Sequence, residues 1–364
     1  MINCRKVRSR IIDDQSRVIY DNRLSYSMTG ERKHILRMLE QIDGIGNISR
    51  LKERLTRENF KKIVIFGAGY NGLFIRECLD EFNWTAFLDN KVETVANENI
   101  VVSQTSSLEK LQMAEQIPIY NPRYYVENHG ANNTLFVIGV PGFPAQRSII
   151  AQLMLLGVKE SEIFAFSPSN VLIPQYFETF SSKKLETFVD CGVFDGDTSF
   201  NFARWCRGNY RKIFAFEADE DNYNVCKANL SKLSDVVLYN LGVWDSEEVL
   251  RFNNTSTGFS SIHEDSTAFE NYKVVEIKTC ALDNFLKDEE ITFIKMDIEG
   301  AELKALQGAA TIISQYKPKI AICVYHKPED IWEIPDLLLK LNPEYNFRLR
   351  HYRMSAYETV LYAE

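Results

Sequence analysis

The chain has 364 residues, too many for one ordinary domain of about 100–200 residues and comfortable for two. Hydrophobic residues make up 45% and charged residues 25%, which supplies material for buried cores and argues against disorder as the overall state. The 42 Lys and Arg against 50 Asp and Glu leave a net charge of −8, so a surface built to coat nucleic acid is disfavoured.

No stretch approaches the roughly 20 apolar residues needed to cross a bilayer, and MINCRKVRSR runs on into polar residues rather than an apolar signal core. The expected location is cytoplasmic, with no membrane span. The seven cysteines, Cys4, Cys78, Cys191, Cys206, Cys226, Cys280 and Cys323, are scattered without a C-x-x-C pair, which suits free thiols better than disulfides or a zinc site.

Residues 1–57 read as an amino-terminal arm followed by helices. The first 33 hold no sustained period, whereas Ile35, Met38, Leu39 and Ile42 share a helical face that Ile48, Leu51 and Leu55 resume after Gly44-Ile45-Gly46. Residues 58–170 read as a Rossmann-like module. In it the apolar run KIVIF (62–66) enters Gly67-Ala68-Gly69-Tyr70-Asn71-Gly72, the helical pattern LFIRECLDEF follows, and TAFLD closes at Asp89. Further strand-like runs at 135–140 and 163–166 flank a helical segment at 145–156. Gly67, Gly69, Gly72 and Asp89 match the dinucleotide fingerprint in spacing and context, so a nucleotide is the candidate ligand. The segment also resembles the small Rossmann-like modules found ahead of sugar-modifying transferases, a resemblance that implies a nucleotide-sugar as the alternative. A scaffold or oligomerisation role explains the same glycines equally simply, because a tight turn and close helix packing also require them.

Turn residues collect from Ser167-Pro168-Ser169 to Ser181-Ser182-Lys183-Lys184, and a second domain is expected over 183–364. It offers seven strand candidates, at 187–191, 212–217, 235–240, 291–297, 319–325, 346–352 and 358–364, mostly separated by helical patterns, the clearest of them at 301–314. Only Arg353 to Tyr357 part the last two, too few for a parallel crossover, so they are expected to form an antiparallel hairpin. The fold class is therefore α/β, two tandem Rossmann-like domains, the second a seven-stranded sheet of the methyltransferase type ending in that hairpin.

Asp190-Cys191-Gly192-Val193-Phe194-Asp195-Gly196-Asp197 stands where the first of these strands ends. Ligands of open α/β sheets bind at that edge. Its carboxylates would repel a pyrophosphate and suit a cationic ligand, a description met by S-adenosylmethionine with its sulfonium and ammonium. Glu217, at the end of the next strand, is placed to accept from ribose hydroxyls. Asp190, Gly192, Asp195, Gly196, Glu217 and Asn222 are the candidate cofactor-binding residues; a turn cap and a solvated strand end are the plainer account of Asp190 and Glu217.

The stretches FVDCGVFDGDTS, IFAFEADEDNYNVCKANL, GFSSI (258–262), TCALDNFL (279–286), FIKMDIEGAELKALQGA (293–309), Tyr325-His326 and ETVLY (358–362) resemble, in order, the FkbM-type family of S-adenosylmethionine-dependent methyltransferases. The resemblance spans about residues 185–364 and departs at Ala218, where the family often has proline. It implies methyl transfer, usually to an oxygen, on acceptors that include natural products and glycans. A small-molecule or glycan acceptor is thus expected, with no nucleic-acid partner and a homo-oligomer left open.

Asp297, Glu299 and His326 are the candidate catalytic residues around the reacting oxygen, with His326 the candidate proton acceptor. Asp297 and Glu299 would also serve as a helix cap, His326 as a rim histidine; His263 is given no role. Two hard ligands are too few to argue a metal, and none is assigned. The roughly fifty residues between Asn240 and Ile291 are long for a connection and read as an acceptor-covering insertion or a surface excursion. The rival readings are a nicotinamide- or nucleotide-sugar-dependent oxidoreductase or epimerase, against which no Tyr-x-x-x-Lys pair stands near Asp89, and a non-catalytic cofactor-binding subunit.

Overall fold

The computed structural model describes residues 4–41, 48–95, 98–100, 117–140, 143–165, 175–182, 185–254, 273–352 and 356–364. The chain forms two compact units, one of residues 31–171 with 353–355, the other of residues 1–30, 172–352 and 356–364. No helix among the described residues is long and apolar enough to cross a membrane, and all seven cysteines are free.

In the first unit β1 (Lys62–Phe66), β2 (Ala86–Leu88), the short hairpin of β3 (Glu93–Val95) with β4 (Glu98–Ile100), β5 (Ile119–Tyr120), β6 (Thr134–Ile138) and β7 (Ile163–Ala165) follow in chain order. The sheet order is β5-β2-β1-β6-β7 and every pairing in it is parallel. These strands are short apolar runs because helices cover them on both faces, and Val64, Phe66, Leu88, Phe136 and Leu153 pack in the resulting core. The helix Tyr70–Cys78 leaves the glycine turn directly after β1, as its pattern indicates.

In the second unit β8 (Glu186–Cys191), β9 (Tyr210–Phe216), β10 (Val236–Tyr239), β11 (Gly242–Val243), β12 (Val249–Asn254), β13 (Lys273–Cys280), β14 (Phe293–Met296), β15 (Lys319–Cys323), β16 (Phe347–His351) and β17 (Thr359–Ala363) include all seven expected strands, with slightly different ends. The main sheet runs β10-β9-β8-β14-β15-β17-β16; its first five strands are parallel, and β17 lies antiparallel to both β15 and β16. β16 and β17 form the expected antiparallel hairpin, with β17 inside the sheet and β16 at its edge. Phe177, Phe188, Phe202 and Phe293 meet in tilted, stacked and edge-on pairs beneath the sheet.

Three expectations change. The helix expected over 301–314 is two, Glu302–Gln307 and Ala310–Tyr316, broken around Gly308, where a Cβ would lie 2.0 Å from the Trp244 carbonyl oxygen. The long connection after Asn240 is anchored by a small sheet in the order β11-β13-β12; GFSSI and His263 fall outside the described residues, and with them the covering role. The opening residues are no loose arm. A helix at Asp14–Thr29 docks on β16: Ser16 Oγ accepts from Leu349 N–H at 2.8 Å, and Arg10 and Ile12 exchange backbone bonds with Phe347. Their weak helical period arises because polar Ser16 and Arg23 are buried along with Ile19 and Tyr20.

Asp13 caps this helix by accepting from Ser16 N–H at 2.7 Å and faces Arg350 at 3.4 Å. Burial works to raise its pKa, but the Ser16 bonds and Arg350 together hold it below the usual carboxylate value. Asp13→Ala is expected to cost about 1 kcal/mol in urea unfolding. The folded pKa is depressed, so this contribution is present above about pH 4 and fades as pH falls through the folded value. The gap between wild type and variant therefore narrows in acid; equal urea midpoints at neutral pH would refute the docking role.

Candidate functional site

β8 and β14 are parallel neighbours with Asp190 opposite Lys295. Both side chains are almost wholly buried, with Nζ 3.4 Å from Asp190 Oδ1. The same ammonium donates to the Gly192 carbonyl at 2.6 Å and the Cys191 carbonyl at 3.2 Å, while Ser199 Oγ donates to Asp190 Oδ2 at 2.8 Å. Burial works against the Lys295 charge; Asp190 and Asp297 outweigh it, raising its pKa and keeping it an ammonium. Asp190 is thus paired with Lys295 and Ser199 at the end of β8.

The loop after β8 turns at Gly192, with φ of +82°, and a Cβ there would lie 2.0 Å from the Asp297 carbonyl oxygen. Only glycine lets this loop and the end of β14 touch. Asp195 and Gly196 lead into the helix Asp197–Trp205; Asp195 Oδ1 accepts from Asp197 N–H at 3.0 Å. Glu217, just past β9 and 8% exposed, accepts from Phe194 N–H at 2.8 Å and Asp219 N–H at 3.0 Å. Burial raises its pKa against these two bonds. Asn222 lies in the first turn of the helix Glu220–Leu230, its N–H donating to the capping Asp219 at 2.9 Å. In the first unit, Asp89 holds its glycine turn in the same manner, accepting from Ala68 N–H at 3.2 Å and Lys91 N–H at 2.9 Å. Gly67, Gly69 and Gly72 lie in that turn and the start of its helix.

The end of β14 and the end of β15 bring Asp297, Glu299 and His326 together. Glu299 and Gly300 both have positive φ, +56° and +94°, an uncommon conformation for a glutamate that turns its side chain back over the strand ends. Asp297 accepts from the Tyr176 hydroxyl at 2.8 Å and the Tyr325 hydroxyl at 3.3 Å, and its Oδ1 is 3.5 Å from His326 Nε2. Burial pushes its pKa up, but Lys295 and His326 outweigh burial and bring it below the usual value. His326 Nε2 is 3.7 Å from Glu299 and its Nδ1 is 2.8 Å from Glu302 Oε1.

Burial alone would lower the His326 pKa; Glu302, Asp297 and Glu299 instead raise it to about 9. A proton held this firmly weighs against the base role expected of His326. Glu299 remains partly exposed, and burial lifts its carboxyl to about 7. It is the carboxylate best placed to exchange a proton.

Sequence reasoning passed over Lys295, Tyr176 and Glu302. A lysine inside the apolar run ITFIKMD was a signal for the first, and Glu302, three residues after Glu299, for the last. Nothing around Tyr176 distinguishes it, although it is buried with φ of +79°.

Residues 190–349 match the family model of the methyltransferase FkbM domain. That match falls within the second unit. Among solved structures, the chain is similar to the FkbM methyltransferase of Methylobacillus flagellatus KT at 18% identity, covering 93% of this chain and 99% of that one with a TM-score of 0.49. It is also similar to Aeropyrum pernix fibrillarin with natively bound S-adenosyl-L-methionine (8% identity, 51% and 69% covered, TM-score 0.32). A third is the precorrin-6y C5,15-methyltransferase of Geobacter metallireducens GS-15 (12% identity, 57% and 94% covered, TM-score 0.32). No curated protein matches the chain.

Within the second unit, Lys295→Met is expected to leave Asp190 as an uncompensated buried charge and to cost about 3–5 kcal/mol. Lys295→Met with Asp190→Asn should recover most of that loss in thermal unfolding. If the single and double variants melt alike, the pair does not hold the loop.

Proposed function

We propose that the protein transfers a methyl group from S-adenosylmethionine to an oxygen of a small molecule or glycan. The observation that carries this reading is the backbone contact at Gly192, which joins the glycine loop to the Asp297–Gly300 turn. A donor held by the first would lie beside an acceptor held by the second.

The residues fit such a donor. Asp195, Glu217, Asp297 and Glu299 surround the strand ends, and Lys295 is already committed to Asp190 and the loop carbonyls, so carboxylates are in excess for a sulfonium and an ammonium. Glu217 is the residue to meet the ribose, with Asp195, Gly196 and Asn222 beside it. S-adenosylmethionine supplies an already activated methyl group, so the chain's task is alignment and proton removal. Asp297, fixed by Tyr176 and Tyr325, orients the acceptor hydroxyl. Glu299 takes its proton, and the positive charge at His326 offsets the repulsion between the two carboxylates. The similar turn in the first unit supports a nucleotide or nucleotide-sugar on Gly67, Gly69, Gly72 and Asp89.

Thermal unfolding with S-adenosylmethionine, S-adenosylhomocysteine, NAD and a UDP-sugar in parallel tests both assignments. A ligand at 100 times its dissociation constant stabilises by about 2.7 kcal/mol, a shift of several degrees. S-adenosylmethionine and S-adenosylhomocysteine should shift the melting, and Glu217→Ala should weaken their binding about 10–100-fold, the worth of a charge-assisted hydrogen bond. A shift with NAD alone would move the chemistry to the first unit. Methyl transfer is then read as labelled methyl appearing on a panel of hydroxylated small molecules and glycans. Glu299→Gln should lower turnover by about 100-fold or more with little change in S-adenosylhomocysteine binding. Unchanged turnover would remove Glu299 as the base.

A further inference from the structure

Beneath the Asp297–Gly300 turn the chain assembles more ligating groups than proton transfer needs. Asp297, Glu302 and His326 each offer one donor atom, and the three donors lie within 4.8 Å of one another. They come from three rigid places: the end of β14, the first turn of the helix Glu302–Gln307, and the residues just past β15. Donors about 2.1 Å from a common ion are at most about 4.2 Å apart, so closing the set needs a contraction of about 0.6 Å or less. Glu302 is completely buried, yet its Oε2 has no hydrogen-bond partner. Its other oxygen, Oε1, accepts from Ile298 N–H at 2.9 Å and lies 2.8 Å from His326 Nδ1. A fully buried carboxylate oxygen thus goes unsatisfied within the cluster. Such an atom is costly unless something fills its valence.

Resting on the reading of this edge as the acceptor site, we propose that Asp297, Glu302 and His326 bind a divalent transition-metal cation of the Mn²⁺ or Zn²⁺ kind. Two carboxylates with one imidazole form a mixed oxygen and nitrogen set, which suits these ions better than Ca²⁺ or Mg²⁺. The ion takes the place of the proton on His326 and draws Glu302 Oε2 into use. It leaves Glu299, which is outside the three, free to serve the acceptor. A cation here would polarise an acceptor hydroxyl and ease loss of its proton.

The test uses the full chain after dialysis against EDTA, with Mn²⁺ alone as the probe. Free Mn²⁺ is followed by electron paramagnetic resonance, and melting with S-adenosylhomocysteine is recorded in parallel. One saturable site is expected in the wild type, lost in Glu302→Gln and in His326→Asn. Each variant's unfolding transition shows whether it remains folded; if one does not fold, Asp297→Asn replaces it. A chain without a saturable site, or with a site that the folded variants retain, overturns the proposal. The two readings fail separately. S-adenosylhomocysteine binding without Mn²⁺ binding overturns the cation alone. Mn²⁺ binding that follows these residues supports the cation even where the cofactor assignment fails.

Discussion

A single buried ammonium organises the functional end of the second unit. Lys295 pairs with Asp190 across adjacent parallel strands and also holds the carbonyls of Cys191 and Gly192, so one group neutralises a charge, fixes a loop and sets the spacing between two strand ends. Removing charges from water is costly, and replacing such a pair by apolar side chains is often neutral for stability. What apolar replacements could not do is grip two carbonyl oxygens. The pair is better understood as a device for placing the loop than as a source of stability.

The loop so placed abuts Asp297, and from there the electrostatics changes character. Lys295 and His326 together face Asp190, Asp297, Glu299 and Glu302, so acid outweighs base among these groups. The fold accommodates the imbalance unevenly: Asp297 is held ionised by hydroxyls and cations, while Glu299 is pushed up by burial to about 7. Neighbouring carboxylates with divergent proton affinities can divide orienting and proton-accepting roles between them.

Much of this arrangement was legible. Strand positions followed from short apolar runs, the terminal hairpin from five intervening residues, and the positions of Gly192, Glu217 and Asp297 from their places at strand ends. What escaped notice depends on pairing across space. The partner of Asp190 was hidden because Lys295 is 105 positions away, and only sheet order makes them neighbours. The carboxylates that raise the His326 pKa likewise arrive from other elements. The opening helix was unreadable because its buried face is partly polar, with Ser16 matched to backbone groups of β16 that no local pattern reveals.

The docking of that helix makes the second unit discontinuous along the chain. Ser16 meets Leu349 and Arg23 donates to the Ala356 carbonyl, each across 333 positions. Contacts of such separation are slow to form because the intervening chain must first be brought into register. During synthesis residues 31–171 emerge with their own sheet complete, whereas residues 1–30 wait for β16. The interval leaves the buried face of Ile19 and Tyr20 without its partner. The chain ends of the second unit thus meet only after the whole of the first unit has been made.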